Sequence, residues 1–329
     1  MKIMVTGSAG FVGIPLCQQL VENGHEVNAL VRSSSLDHPL RRPGINIIEG
    51  DLLEPESLEK AVDGCGQIYH LAAFTGVWSP DPTIYHKVNV DGTKAVLDAA
   101  VRAGVKRVVI TSTAGVIGPS PGKGTQVNEE TNPIPELTTD YERTKLESEK
   151  LAFRYLEQGL DVIIVNPSRV FGKGWLRDSN SVTRLIKLYD EGKWRFVPGD
   201  GDRVGNYVYV DDVVNGHLLA MDHGKPGERY ILGGANLSYN ELFGLLREVT
   251  GKDYRMVHLP VSSMMAFARA EVFMAKQLGK KPFIVPDLVK KYTKDWILSS
   301  SKAETELGYT ITPVKTALEE TLNWIRGLN

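Results

Sequence analysis

The sequence predicts an α/β fold, a doubly wound parallel sheet (Rossmann type) with a smaller, partly interleaved C-terminal substrate lobe. Two patterns predict it. From Ile3 to Val165, short and nearly continuous apolar runs alternate with helical periods, the signature of parallel strands buried on both faces. After Asn166-Pro167 the alternation loosens into a stretch where Gly, Trp, Arg and Pro are frequent, as far as Gly205. The cleft between the two lobes is the expected binding site.

The elements follow in order. Ile3–Val5 is a strand, β-branched at both ends and stopped by glycine. Gly7, Gly10 and Gly13 then sit three apart where strand becomes helix, so that the backbone can turn tightly, let a pyrophosphate approach and pack a helix on the sheet. The helix presents Ile14, Cys17, Leu20 and Val21 on one side, carries Pro15 in its first turn and ends at Gly24. Its N-terminal amides and dipole favour an anion, which makes this a dinucleotide site. Further strands are read at Val27–Val31, Ile45–Glu49, Gln67–Leu71, Arg107–Thr111 and Val162–Val165, and helices at Leu52–Val62, Asn89–Ala103 and Thr139–Gln158. Beyond them come a helix over Ser181–Glu191, then Tyr207–Val210 as a return to the sheet, followed by a helix from Asp211 to Met221. Tyr230–Leu232 and Val257–Leu259 read as strands, Ser238–Thr250 and Val314–Gly327 as helices. On this reading residues 1–165 with about 206–224 form the dinucleotide-binding domain, and about 166–205 with 225–329 the substrate lobe.

Composition narrows the function classes. The 329 residues are 42% hydrophobic and 24% charged with a net charge of −2, which gives no reason to expect a nucleic-acid or membrane partner. Cys17 and Cys65 lack metal-ligand spacing, and His25, His70, His86, His217 and His223 do not cluster, so no metal is expected. No run approaches the ~20 apolar residues of a membrane span, and the first strand begins at residue 2, so a cytoplasmic protein is expected. The expected partner is a small-molecule substrate; a homodimer is compatible with the sequence without being specified by it.

Arg32 directly follows the second strand, where a dinucleotide fold faces the adenosine ribose. An arginine there pairs with a 2′-phosphate, whereas a carboxylate would repel it. No Asp or Glu occupies 30–35, Ser33 to Ser35 add hydroxyls, and Arg41 and Arg42 are within loop reach. NADP(H) is therefore favoured, with NAD(H) the alternative. Asp51, after the third strand, reads locally as a helix N-cap. The small residues of His70-Leu71-Ala72-Ala73 would let a cofactor backbone pass close to the fourth strand's end.

Tyr141 and Lys145 stand four residues apart on one helix face. A cation beside a phenol lowers its pKa and lets it exchange a proton with an alkoxide. Tyr189 and Lys193 repeat the spacing, but Gly192 ends their helix. The fifth strand ends in Thr111-Ser112-Thr113, one of whose hydroxyls can hold a substrate oxygen. If the strand stays regular, Thr111 and Thr113 share a face and Ser112 points away.

Taken in order, Val5-Thr6-Gly7-x-x-Gly10-Phe11-Val12-Gly13, Leu30-Val31-Arg32, Gly50-Asp51-Leu52, Asn89-Val-Asp-Gly-Thr93, Thr111-Ser112-Thr113-Ala114, Tyr141-x-x-x-Lys145, Asn166-Pro167, Tyr209-Val-Asp-Asp212 and Gly227-Glu-Arg-Tyr230 resemble the extended short-chain dehydrogenase/reductase superfamily. Within it they resemble the dihydroflavonol-4-reductase-like and 3β-hydroxysteroid-dehydrogenase-like branch, including hopanoid-associated bacterial members. The resemblance implies a catalytic set of Thr113 (Ser112 as second choice), Tyr141 and Lys145. It implies cofactor contacts from Gly7, Ala9, Gly10, Phe11, Val12, Gly13, Arg32, Asp51, Leu52, Leu71, Ala72, Ala73, Thr111, Tyr141, Lys145, Asn166, Pro167 and Ser168. Asn89 would pack the active-site helix. The implied activity is an NADP(H)-dependent oxidoreductase that reduces a carbonyl to a secondary alcohol, or the reverse, on a small apolar, aromatic or acyl substrate.

The alternative is a nucleotide-sugar epimerase or dehydratase with tightly held NAD. Such relatives usually carry an arginine two residues before the aromatic that is Tyr207 here; the matching residue is Gly205, with Arg203 nearby. A third reading is a non-catalytic dinucleotide sensor. Trp78, Phe171, Trp175, Trp194 and Phe196 fall near the cleft, although local core is the plainer account. Residues 118–139 read as a mobile flap. Met264, Met265, Phe267, Phe273 and Met274 form an apolar helix whose plainest role is to fill the second lobe.

Overall fold

The computed structural model describes residues 1–32, 39–131, 137–174 and 180–328. The first lobe is built from β1 (Lys2–Thr6), α1 (Gly13–Glu22), β2 (Glu26–Val31), β3 (Ile45–Glu49), α2 (Pro55–Val62), β4 (Gln67–His70), α3 (Thr83–His86), α4 (Gly92–Arg102), β5 (Arg107–Thr111), α5 (Asp140–Phe153) and β6 (Asp161–Pro167). There follow β7 (Arg169–Phe171), α6 (Ser181–Asp190), β8 (Phe196–Pro198), β9 (Val204–Tyr209), α7 (Val210–His223), β10 (Arg229–Leu232), β11 (Ala235–Ser238) and α8 (Tyr239–Thr250). The chain ends with β12 (Val257–Leu259), α9 (Val261–Leu278), α10 (Pro286–Tyr292), α11 (Ser301–Leu307) and α12 (Val314–Arg326).

The main sheet has seven parallel strands in the order β3-β2-β1-β4-β5-β6-β10. Alternation of side chains along each strand supplies two cores. Ile3, Val5, Val109 and Ile163 pack with α1 and α7 on one face, while Met4, Ile68, Val108 and Ile110 pack with α2, α4 and α5 on the other. The chain leaves β1 toward β2 and β3, then returns to place β4 on the other side of β1. That reversal opens a crevice beyond the carboxyl ends of β1 and β4.

Two expectations are corrected. Residues 207–210 do not rejoin the main sheet: β9 pairs in parallel with β7 and antiparallel with β11 in a separate three-stranded sheet. Its bulky Tyr207 and Tyr209 pack with Phe171, Tyr239 and Phe243 in the second lobe's core. The seventh strand is β10 instead, whose Tyr230, Ile231 and Leu232 are fully buried. The main sheet thus takes in Arg229–Leu232, which the sequence alone assigns to the second lobe. The apolar helix α9 does not fill that lobe either. Only Ala268 and Ala275, seven residues apart on one face, are buried, while Phe267 (52% exposed), Phe273 (67%) and Met274 (45%) face outward. Among the described residues, no helix is long and apolar enough to cross a membrane.

Candidate active site

The glycine loop takes its shape from contacts that leave no room for Cβ atoms. Gly7 has φ +66°, and a Cβ on it would lie 2.6 Å from the Ala72 amide nitrogen; a Cβ on Gly13 would lie 2.2 Å from the Gly7 carbonyl oxygen. The Gly10 amide donates to that same oxygen at 2.8 Å. Ala9 and Val12 pack on the main core, and Phe11 packs on the second lobe's core. Helix α1 follows with Val12 at its N-cap and no side chain capping its first amides. The Ile14 amide is already spent on the Gly10 carbonyl (3.1 Å), and free amides at such a terminus suit an anion.

A buried relay fixes the strand end opposite. The Ala72 amide donates to Thr6 Oγ1 (3.2 Å), and the Thr6 hydroxyl meets His70 Nδ1 (2.7 Å). His70 Nε2 meets Thr93 Oγ1 (3.0 Å), whose hydroxyl donates to the Asn89 carbonyl (2.6 Å). Since Thr93 spends its proton on a carbonyl, His70 must donate from Nε2 and accept at Nδ1. Burial, with the Lys145 charge adding, pushes His70 down to about 3 and keeps it neutral. Leu71, Ala72 and Ala73 remain partly exposed beside this relay.

On the adenosine side Arg32 is exposed just past β2, while Ser33 to Ser35 lie outside the described residues. Arg42 pairs with Glu22 at 3.4 Å. Asp51 is not a helix N-cap: that position falls on Glu54, and Asp51 Oδ1 accepts the Leu53 amide at 3.0 Å in a turn of its own. Leu52 is buried and packs against Gly92.

Helix α5 starts on a capping box in which the Thr139 hydroxyl accepts the Glu142 amide and the Glu142 carboxylate accepts the Thr139 amide. Its first two turns carry Tyr141 and Lys145 into the space beyond β5. The Thr113 hydroxyl lies beside the Tyr141 phenol and accepts the Gly115 amide at 3.1 Å. The Ser112 hydroxyl is buried near Glu149 without a hydrogen bond, and Thr111 Oγ1 meets His217 Nε2 at 2.7 Å, with His217 Nδ1–H donating to the Val213 carbonyl at 2.7 Å. Thr111 and Thr113 therefore do not share a face. The strand stops at Thr111, and Thr113 opens a 3₁₀ turn over Ala114–Val116, so its side chain swings toward α5 while that of Thr111 stays committed to α7.

The electrostatics differ from the expectation that Lys145 acidifies the phenol. Tyr141 is shifted upward, chiefly by burial and then by the Glu142 carboxylate, with only the Thr113 hydroxyl opposing. Lys145 is fully buried, and burial, partly offset by Glu149, lowers it to about 8. Among the described residues its Nζ has no hydrogen-bond partner, nor do Ser112 Oγ, Asn166 Oδ1 and Ser168 Oγ. Unpaired buried groups of this kind are costly, and hydroxyl-rich groups on a ligand can satisfy them. With the uncapped α1 terminus at the other end of the crevice, the donor set fits a dinucleotide.

The fold agrees with the comparisons. Residues 3–233 match the NAD dependent epimerase/dehydratase family. The chain belongs to that family. It is thus an extended short-chain dehydrogenase/reductase, a superfamily of nicotinamide-dependent enzymes. It is 33% identical over 327 residues to a Synechocystis sp. protein that bears the provisional name dihydroflavonol 4-reductase, covering 98% of this chain and 94% of that one. It is 32% identical over 262 residues to 2-alkyl-3-oxoalkanoate reductase of Stenotrophomonas maltophilia, covering 76% of each. The fold matches UDP-glucose 4-epimerase of Thermotoga maritima, solved with UDP-glucose, with a TM-score of 0.81 and 27% identity over 100% of this chain and 99% of that one.

In this extended short-chain dehydrogenase/reductase one side chain that joins the site, Glu149, was not singled out by the sequence reading. Glu149 is buried one turn past Lys145, where its Oε1 accepts from Asn166 Nδ2 (2.8 Å) and its Oε2 lies 3.5 Å from Arg229. Asn166 Nδ2 also donates to the Thr113 carbonyl (3.1 Å), so Glu149 steadies both strand ends. The four-residue spacing from Lys145 was the available signal. Asn89 sits in a π-helical turn (Lys87–Asp91), and its side chain binds both the amide and the carbonyl of Phe74 and reaches Thr144. The Tyr189 hydroxyl donates to Lys252, and Lys193 pairs with Glu191, so that second Tyr–Lys pair forms no site. Phe171 is core, Trp194 packs beside that core, and Trp175 lies outside the described residues. The expected flap is pinned where described: Ser120 bonds Asp295, Val127 bonds Ile297, and the Glu129 carboxylate takes the Ile231 amide at 2.6 Å. Among the described residues no His, Cys, Asp and Glu cluster could hold a metal.

Proposed function

We propose that this protein is an NADP(H)-dependent reductase that interconverts a carbonyl and a secondary alcohol on a small, largely apolar substrate. The observation that carries the reading is the juxtaposition of Tyr141, Thr113 and an unpaired buried Lys145 at the end of β5. When bound, the nicotinamide supplies or accepts the hydride. The chain supplies the rest. Thr113 donates to the carbonyl oxygen and holds it beside Tyr141, whose raised pKa keeps the phenol protonated at neutral pH and ready to give its proton to the nascent alkoxide. Lys145 Nζ would hold the nicotinamide ribose hydroxyls, with Asn166 and Ser168 beside the ring. Gly7, Gly10, Gly13 and the α1 amides would take the pyrophosphate. The exposed Arg32 supports NADP(H) over NAD(H), since it offers a phosphate a cation engaged by no described side chain.

The fold likeness to UDP-glucose 4-epimerase keeps a nucleotide-sugar epimerase as the second reading. Against it, position 205 is glycine and Arg203 is held by Asp295 at 3.4 Å. Steady-state assays with ketones and NADPH or NADH decide between them. We expect NADPH consumption and a loss of about a hundredfold or more in kcat for Tyr141→Phe, with NADPH affinity nearly unchanged. Full activity in that variant, or purification with stoichiometric bound NAD, would overturn the reading.

A further inference from the structure

Helix α5 carries a buried carboxylate that the proposed reaction does not use. Glu142 directly follows Tyr141, is 1% exposed, and divides its two oxygens between the lobes. Oε2 accepts from the Thr139 amide and the Thr138 hydroxyl, both at 3.3 Å, and so holds the first turn of the helix. Oε1 is taken by Lys291 of α10 at 2.5 Å, across 149 positions of sequence. The carboxylate also lies against the 3₁₀ turn that Thr113 opens, where a Cβ on Gly115 would come within 2.8 Å of Oε1. It is thus wedged between the two segments that present Tyr141 and Thr113.

Lys291 is backed by the second lobe. Its ammonium lies 4.9 Å from the centre of the Trp296 ring, whose Nε1 donates to the Lys291 carbonyl at 3.2 Å. The Trp296 amide donates in turn to the Val204 carbonyl of β9 at 2.8 Å. Neighbouring ties between the lobes are neutral backbone bonds, from the Ser120 amide to the Asp295 carbonyl and from the Val127 amide to the Ile297 carbonyl. Among the described residues the groups that bear on the Tyr141 phenol are the Thr113 hydroxyl and Glu142, with Lys145 one turn along the same helix. Those on Glu142 are Thr138, Thr139 and Lys291. A carboxylate beside a phenol disfavours the phenolate, and an ammonium bound to that carboxylate weakens the effect. Removing one partner of a buried ion pair leaves the other charge uncompensated, whereas removing both is far milder.

We propose that Lys291 is a positioning residue for the candidate site: from the second lobe it holds and neutralises the Glu142 carboxylate, and so sets both the seat of α5 and the charge felt by the Tyr141 hydroxyl. The role of that hydroxyl as a proton donor rests on the function proposed above; the coupling of Lys291 to it through Glu142 does not.

The test places 2,3,5-trifluorotyrosine at position 141 of the full chain, without dinucleotide, and follows its ionisation by fluorine NMR; the fluorines acidify the phenol enough to bring its titration into reach. In this background Lys291→Met should move the midpoint up by about one pH unit or more, and Glu142→Gln should move it down. The double variant Glu142→Gln/Lys291→Met should return to within about half a unit of the parent, and Lys291→Arg, which keeps the charge, should leave it in place. A merely structural contact would not give shifts of opposite sign. Should Lys291→Met fail to fold, the double variant, with its midpoint above that of Glu142→Gln, carries the comparison. With the natural tyrosine, kcat/KM for 3-oxododecanoate with NADPH should fall about tenfold in Lys291→Met and recover in Lys291→Arg and in the double variant. Midpoints that stay together, or that all move the same way, would overturn the inference. Separated midpoints without ketone reduction would remove the reductase reading and keep the coupling; reduction with unmoved midpoints would do the reverse.

Discussion

Lys145 is a buried ammonium with no hydrogen-bond partner among the described residues, and this makes a thermodynamic statement that can be measured. Burial lowers it from 10.5 to about 8, so keeping it charged in the folded state below pH 8 costs on the order of 3 kcal/mol. Methionine has a similar length and no charge. Part of the gain is lost because Glu149 surrenders a neighbouring cation, leaving Arg229 and Asn166 to stabilise its carboxylate. The expected outcome is that Lys145→Met is more stable than wild type by about 1–3 kcal/mol at pH 7, while inactive. The pH dependence has a definite sign. Between about pH 8 and 10.5 the unfolded lysine still holds its proton and the buried one has lost it, so raising the pH through that window favours the folded wild type. The advantage of the variant therefore shrinks as pH rises. Urea denaturation midpoints at pH 7 and pH 9.5, without added dinucleotide, measure it. A variant less stable than wild type at pH 7, or an advantage that does not change with pH, would refute the reasoning.

Other outcomes follow from the same geometry. Gly13→Ala forces a Cβ to within 2.2 Å of the Gly7 carbonyl, so the loop must shift; NADPH affinity read by nucleotide fluorescence should fall about a hundredfold, and wild-type affinity would contradict the cradle. Arg32→Glu should reverse the NADPH-to-NADH ratio of kcat/KM by a factor of about ten to a hundred; an unchanged ratio would show that another group reads the phosphate. Glu149→Gln keeps an acceptor for Asn166 but removes the charge that raises Lys145, so the alkaline limb of the kcat/KM profile should move down by about one pH unit. A profile that stays in place would separate Glu149 from Lys145.

Much of the fold was legible because parallel strands announce themselves locally. Ile45–Glu49, Arg107–Thr111 and Val257–Leu259 begin and end where the apolar runs do. The sheet that a strand joins is a different matter. Tyr207–Val210 and Tyr230–Leu232 both read as apolar strands, and only the packing of Tyr207 and Tyr209 among other aromatic rings separates them. At the site, the Tyr141–Lys145 pair could be found from helical spacing. The direction of Thr111 could not, because it depends on where the strand stops and on His217, which lies far along the chain. Nor could the solitary state of Lys145, since the environment of a charge is set by non-local burial. The outward face of α9 is a third case: an apolar sequence shows that a helix is hydrophobic and is silent on what covers it.

The late arrival of β10 has a bearing on how the enzyme is made. During synthesis β6 emerges with one neighbour, β5, and its other edge stays bare until the chain has laid down β7, α6, β8, β9 and α7. The bare edge belongs to the strand that ends at Asn166 and Pro167, so the end of the sheet that carries the candidate site cannot be locked before the chain through Leu232 has left the ribosome. A nascent chain halted after α7 would present an open, apolar β edge and call on chaperones.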